Sequence, residues 1–216
     1  MLSHKTKYKT VKFDFDDSLI NADLKVLEDL CDLIIASKEV LLWRARIRIA
    51  NPLPLKVLRK MAAAGCHWLS TGIESGSEQV RKHMRKPATD SFLHNQLANI
   101  HKCAIDLYAQ FVIGHPSEAR EDFEQTLGFV ARNQRYMHSV HFNVCSLWGY
   151  SDLVKNASGY GIVGDQENVS MGWKTAENTP MERYRRWKRA NQVGQQWGLV
   201  SWHDLNDKTV MLSNTL

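Results

Sequence analysis

Several acids and cations of this chain stand where the backbone must turn. In WLSTGIESGS, residues 68–77, an apolar run reaches Glu74 and then breaks into small residues. A carboxylate there either favours the start of the next helix through its macrodipole or contacts a ligand, with Ser75 or Ser77 free to cap the helix. Asp16 and Asp17 close the alternating stretch KTVKFDFDD, where turn chemistry is the competing use. Arg85 and Lys86 come just before Pro87, as a cationic helix end or as ligand contacts. In IGHPSE, residues 113–118, Gly114 and Pro116 shape a turn and Glu118 reads as a first-turn acid. Arg44, Arg46 and Arg48 alternate through WRARIRI and share one strand face. A guanidinium on a sheet face needs an anion or a water-filled rim, so this trio points to function more than the acids do.

Other chemistries find less support. Cys31, Cys66, Cys103 and Cys145 are widely spaced and form no CxxC. Such scattered cysteines read as small buried hydrophobes, with no disulfide and no metal or cluster held by them. His138 and His141 lie three apart on an expected strand and point to opposite faces, which argues against zinc. The sequence has no GxSxG, GxxxxGK[ST], GxGxxG or HExxH. No catalytic residue is singled out.

The elements that would position these residues follow from periodicity. Strands are expected over 9–17, 40–49, 67–73, 107–114 and 139–147. Helices are expected from an Asn21 cap through Ile34, over 55–64 up to Gly65, over 77–84 and 91–103, and from a Ser117 cap along Phe123, Leu127 and Val130. Strand and helix alternate about every 30 residues, the signature of parallel α/β structure. In such folds ligands bind at the C-terminal strand ends, where these polar residues gather.

The bulk numbers set limits. With 216 residues, 44% hydrophobic and 24% charged, the chain suits one large domain or a domain plus appendage. No apolar run approaches the roughly 20 residues of a membrane helix, and MLSHKTKYKTVKF lacks the apolar stretch of a secretory signal. A cytoplasmic protein is expected. The net charge of +5 is modest and spread out. Its densest cluster, MERYRRWKR at 181–189, reads as a solvated helix face, with a phosphate-binding patch as the alternative. Residues 1–150 are expected to form the core domain. Residues 151–216 would be a small mixed appendage, with a helix near 180–195, then a strand or hairpin, and tryptophans at 173, 187, 197 and 202.

Taken in order, four segments resemble the radical S-adenosylmethionine superfamily. They are FDFDDSLINADLKVLEDLCDLII, then W-x-A-R-x-R, then AAGCHWLSTGIESGSEQVRKHMRK, then FVIGHPSEAREDFEQTLGFV. The likeness spans about residues 10–165 and is nearest to the branch fused to cobalamin-binding domains. It implies a partial (β/α) TIM-like barrel with S-adenosylmethionine across the C-terminal strand ends. Asp16 and Asp17 would meet the cofactor's amino group, and Arg46 or Arg48 its carboxylate or ribose. Glu74 with Ser75, and Lys86 after the next helix, would contact it too, while Ile113 and Gly114 would form the adenine-side turn. The resemblance further implies a [4Fe–4S] cluster, a 5′-deoxyadenosyl radical, a ferredoxin- or flavodoxin-type reductant and a small-molecule substrate, with cobalamin supplied by a separate domain. The family's CxxxCxxC is absent from this sequence. A barrel cut short at its N-terminus is therefore expected, as a fragment, a mis-called start or a degenerate homologue, inactive in radical chemistry by itself. The alternatives are a non-catalytic barrel that binds a nucleoside ligand or protein partner and, further off, a basic RNA-binding protein using 181–189.

Overall fold

The computed structural model describes residues 1–164 and 169–199, without the side chains of Val169 and Ser170. The expected C-terminal strand or hairpin and Trp202 lie outside the described residues. Strands β1 (Lys12–Asp14), β2 (Leu42–Ile47), β3 (Cys66–Glu74), β4 (Asp106–Ile113) and β5 (Ser139–Val144) form one parallel sheet in that order. Sequential order in a parallel sheet follows from a helical crossover after each strand. Those crossovers are α2 (Leu24–Ala36), α3 (Leu55–Ala63), the pair α4 (Glu78–His83) and α5 (Asp90–Lys102), and α6 (Arg120–Asn133). A short helix α1 (Leu2–Tyr8) precedes the sheet, where the basic sequence gives no periodic signal.

The chain divides into two compact units. The first comprises Met1–Gly72, Ser91–Ala109 and Arg135–His138. Its core brings Leu27, Cys31 and Ile34 of α2 and Val57, Leu58 and Met61 of α3 into burial together with Trp43, Ala45 and Ile47 of β2. Alternation sends Arg44 and Arg46 to the other face of β2. The indole of Trp43 donates to the Ala64 carbonyl at 2.8 Å, so the buried ring keeps its hydrogen bond.

Asn21 does not cap α2. Asp23 does, accepting from the Lys25 and Val26 N–H groups at 2.8 and 3.2 Å. Asn21 is buried instead and ties two loops together. Its amide donates to the Arg48 and Asn51 carbonyls at 3.0 and 3.1 Å, and its oxygen accepts from Arg48 N–H at 3.0 Å.

The second unit comprises Ile73–Asp90, Gln110–Gln134 and Ser139–Leu216. Phe111, Phe129, Phe142 and Trp187 lie in its core. The expected strand over 139–147 is interrupted: β5 ends at Val144, and Leu147–Trp148 (β6) turns to pair antiparallel with Val169–Ser170 (β7). Short α7 (Asp152–Lys155) follows β6, and α8 (Pro180–Gln196) begins from a Thr179 cap. Helix α8 keeps one solvated face, with Arg185, Lys188 and Arg189 exposed, but its other face turns inward. Arg183, Arg186 and Trp187 are buried, and the Trp187 indole donates to the Phe142 carbonyl at 2.9 Å.

Candidate functional site

Strand β3 ends on Glu74, whose φ is +72°. The Ser75 N–H donates back to the Ile73 carbonyl at 3.0 Å, closing a three-residue turn centred on Glu74. A γ-turn of this hand is rare and strained. For a residue with a Cβ the left-handed region costs on the order of 1–3 kcal/mol and persists only where the surroundings enforce it. Those surroundings lie just downstream. The Ser75 hydroxyl bonds with the Thr126 hydroxyl at 3.1 Å and accepts from Ser77 N–H at 3.0 Å. The Gly76 N–H donates to the Thr126 hydroxyl at 3.0 Å, and a Cβ on Gly76 would lie 2.4 Å from the Thr126 Cα. Only glycine lets the turn press this close to α6. Ser77 caps α4 at the Val80 N–H and donates to Asp122 at 2.6 Å.

Arg81 locks the turn to the loop that carries Lys86. It is 1% exposed. One Nη donates to the Ser75 carbonyl at 2.7 Å; Nε and the other Nη donate to the Ala88 carbonyl at 3.0 and 2.9 Å. That second Nη also donates to Asp90 at 2.7 Å. The Lys86 N–H bonds the Arg81 carbonyl at 2.9 Å. The outcome is an ion pair in which the Lys86 ammonium donates to the Glu74 carboxylate, with Glu74 12% and Lys86 41% exposed.

The IGHPSE turn is built from the tail. Gly114 has φ +78°, and its N–H donates to Glu118 Oε1 at 2.9 Å. A Cβ at Gly114 would lie 2.3 Å from Arg183 Cγ. The expected Ser117 cap is not made: α6 starts at Arg120, and the Ser117 hydroxyl and N–H turn to Nδ1 of His115 at 2.8 and 3.2 Å. Glu118 is therefore no first-turn acid but a buried group. Arg186 donates to its Oε1 and its carbonyl, both at 3.2 Å, and Asn178 donates to the His115 and Glu118 carbonyls at 3.1 and 2.8 Å. Burial pushes the Glu118 carboxyl up to about 7, against the pull of the Gly114 N–H and Arg186. Its Oε2 finds no partner among the described residues, which agrees with that direction. Ile113 is buried, and its carbonyl accepts from Cys145 N–H at 2.8 Å.

Within this unit a cavity of about 500 Å³ is lined by Glu74, Gln110, His115, Asn143, Trp148 and Tyr160, among others. Ser75, Lys86, Ile113 and Gly114 shape its surroundings without being in the lining. Burial, with a smaller contribution from His83, lowers the His115 imidazole to about 4.

The expected residues of the first unit form cross-strand pairs. Asp14, aligned with Arg44 by register, accepts from its Nη at 2.6 Å, and Arg44 lies 5.5 Å above the Trp68 ring. Arg46 donates to Asp16 at 3.1 Å. The anions that the arginine trio calls for thus include the acids of the neighbouring segment. Asp17 is exposed, and Arg48 follows the end of β2 on the loop that Asn21 holds. Sequence reasoning missed Arg81, His115 and the Arg183–Arg186 lock. In RKHMRK only Arg85 and Lys86 drew a reading, and a buried arginine such as Arg81 looks no different in sequence from a solvated one.

The cysteines do not fit an iron–sulfur cluster. Cys31, Cys66 and Cys145 are buried. Burial pushes the Cys31 and Cys145 thiols up to about 11 and about 12, and Cys66 higher still, whereas cluster ligands are thiolates. Among the described residues no group of three or more His, Cys, Asp or Glu could hold a metal ion.

No family model matches the chain. The fold is nonetheless that of radical S-adenosylmethionine enzymes, cobalamin-dependent ones among them, and the likeness drawn from the four segments holds. The radical S-adenosylmethionine methyltransferase TsrM of Kitasatospora setae, solved with tryptophan substrate and a cofactor analogue, matches with a TM-score of 0.65 at 13% identity. That match covers 94% of this chain and 46% of TsrM. Coproporphyrinogen III oxidase HemN of Escherichia coli, a radical SAM enzyme, matches at 0.62 and 14% identity, over 88% of this chain and 41% of HemN. In sequence the chain is 30% identical over 107 residues to tRNA-2-methylthio-N(6)-dimethylallyladenosine synthase of Desulfitobacterium hafniense (strain Y51). That covers 47% of this chain and 24% of the synthase, so the chain spans about a quarter of that relative. No described helix is long and apolar enough to cross a membrane.

Proposed function

We propose that this chain is part of a radical S-adenosylmethionine enzyme and that it binds S-adenosylmethionine through Glu74 and Lys86. The observation that carries this is the strained turn at Glu74. A backbone cost of this kind, enforced by five side chains and spent on aiming one carboxylate at a cavity, is characteristic of ligand sites. The ligand's chemistry suits the pair. Its methionine end carries an ammonium that a carboxylate can receive and a carboxylate that an ammonium can receive. When bound and reductively cleaved, S-adenosylmethionine supplies a 5′-deoxyadenosyl radical. Glu74 and Lys86 hold each other in place beforehand, so the site pays little ordering cost on binding. Asp16, Asp17, Arg46 and Arg48 are further candidates for cofactor contacts, and Ser75, Ile113 and Gly114 for backbone shape. A cluster serving the enzyme draws its thiolates from elsewhere than these four cysteines. The reductant, a ferredoxin or flavodoxin, the small-molecule substrate and any cobalamin belong to the same proposal.

A second reading follows from the buried thiols: a barrel that binds the cofactor or another nucleoside without radical chemistry. Equilibrium dialysis of the chain against labelled S-adenosylmethionine tests what both readings share. Binding is expected, with Glu74→Gln and Lys86→Met each weakening it about tenfold or more, the range for a charge-assisted hydrogen bond. Saturable binding unaltered in both variants would remove Glu74 and Lys86 from the site. No binding by the wild-type chain would sink the reading itself. Asp16→Asn and Arg46→Ala, dialysed in parallel, test the other candidates.

A further inference from the structure

One imidazole at the cavity of the second unit carries a proton and has no protein acceptor for it. His115 is 3% exposed, and its neighbours fix both its backbone and its ring. Its carbonyl accepts from the Glu118 N–H at 2.7 Å and from Asn178 at 3.1 Å. Tyr160 meets the ring edge-on at 5.8 Å. The Ser117 N–H donates to Nδ1 at 3.2 Å, and the Ser117 hydroxyl lies 2.8 Å from the same nitrogen. A backbone N–H can only donate, so Nδ1 presents its lone pair and the ring proton sits on Nε2. A proton on Nδ1 would set two donors against each other. Burial also lowers the ring to about 4, so the imidazole is neutral near pH 7.

Among the described residues nothing accepts from Nε2. That nitrogen is nevertheless not one of the buried polar atoms left without a partner, so it reaches the cavity that His115 lines. A donor this enclosed is costly when unbonded, and the contents of the cavity must supply its acceptor. The chemistry of that acceptor follows from what the site offers, which is one uncharged donor. A carboxylate is better served by the Lys86 ammonium beside Glu74. A ribose hydroxyl accepts, but its own proton then needs an acceptor as well. A purine ring nitrogen only accepts. Tyr160 beside the imidazole and Trp148 of the same lining supply the aromatic faces against which a flat ring packs. The volume of about 500 Å³ suits one small-molecule ligand.

We infer that the Nε2–H of His115 donates to a ring nitrogen of the adenine of S-adenosylmethionine, the single occupant of this cavity, whose charged end Glu74 and Lys86 receive. His115 is thus the residue that recognises the heterocycle, an assignment that rests on the cofactor reading of the site.

Dialysis of the full chain against S-adenosylmethionine and its 1-deaza, 3-deaza and 7-deaza forms tests it, with the wild type, His115→Phe and His115→Gln. Each deaza form replaces one ring acceptor by C–H. The wild type should bind one of the three about three- to tenfold more weakly than the parent compound, the worth of one neutral hydrogen bond. That gap should close in His115→Phe, which keeps a ring and removes the donor, and parent binding should weaken by a similar factor. His115→Gln, which can place an amide N–H near the position of Nε2, should keep part of the gap. If His115→Phe fails to fold, the His115 Nε2–H proton resonance of the wild-type chain serves instead. It should move when the parent binds and move less with that one deaza form. All three deaza forms binding the wild type as tightly as the parent, or one common resonance shift with all four compounds, would overturn the assignment. A gap that persists in His115→Phe would overturn it too, since His115 would then act only through the fold. Binding that depends on Glu74 and Lys86 but not on His115 would defeat the assignment alone. No binding by the wild type would defeat the cofactor reading and the assignment with it.

Discussion

At the scale of single residues, two positions of the IGHPSE loop give measurable consequences. Gly114→Ala must place a Cβ at φ +78° and 2.3 Å from Arg183 Cγ. Arg183 cannot simply swing aside, because its guanidinium donates to the Asn178, Met171 and Trp173 carbonyls. A loss of about 1–3 kcal/mol in urea denaturation is expected. Glu118 gives a pH dependence. Its folded carboxyl is raised from 4.5 to about 7, so between those values the folded chain holds a proton that the unfolded chain has released. Stability then falls as pH rises across that window, by up to about 1.4 kcal/mol per pH unit, and is level above it. Glu118→Gln should remove that slope in denaturation series run from pH 4.5 to 8. A slope that survives in the variant would assign it to another group. The glycine of this loop was legible as a turn from its type. The glutamate was not, because burial beside Arg186 depends on a segment about 70 positions away.

At the scale of elements, periodicity gives away most of the architecture. Leu27, Cys31 and Ile34, or Phe123, Leu127 and Val130, mark buried helix faces by spacing alone. Caps are less legible, since several polar residues near a boundary could each serve. Asn21 and Asp23 both precede α2, and tertiary bonds to the Arg48 loop claim Asn21, leaving the cap to Asp23. Ser77 is a cap that also works between elements, joining α4 to Asp122 at 2.6 Å. Ser77→Ala should therefore cost more than the roughly 1 kcal/mol of an ordinary cap, since Asp122 loses a buried donor as well. Calorimetric melting of Ser77→Ala beside the surface cap variant Ser151→Ala would check this. Equal losses would show that the Asp122 bond adds nothing.

At the scale of the whole chain, the tail is where sequence and structure differ most in meaning. Composition shifts near residue 150, with glycines and tryptophans replacing regular alternation, and arginines crowd 181–189. Those arginines look like a surface. In the second unit two of them serve the interior: Arg183 lies 3.8 Å over the Trp173 ring, and Arg186 and Asn178 hold the Gly114–Glu118 turn. Guanidinium groups this deep persist because carbonyls, a carboxylate and an aromatic face replace their water. A chain ending after Ser170 would remove Asn178, Arg183, Arg186 and Trp187 together. It would take the Asn178 donor from the His115 and Glu118 carbonyls, the Arg186 donor from the Glu118 carbonyl and carboxylate, and the Trp187 donor from the Phe142 carbonyl. Such a chain should fail to fold cooperatively, whereas a dispensable appendage would leave residues 1–170 with a sharp melting transition. Arg186→Lys separates the charge from the fork. A lysine can still pair with Glu118, but it cannot also reach Asn178 and Glu182 as the guanidinium does. It should keep the fold with a lowered melting temperature, and a variant as stable as the parent would mean that the fork geometry contributes nothing.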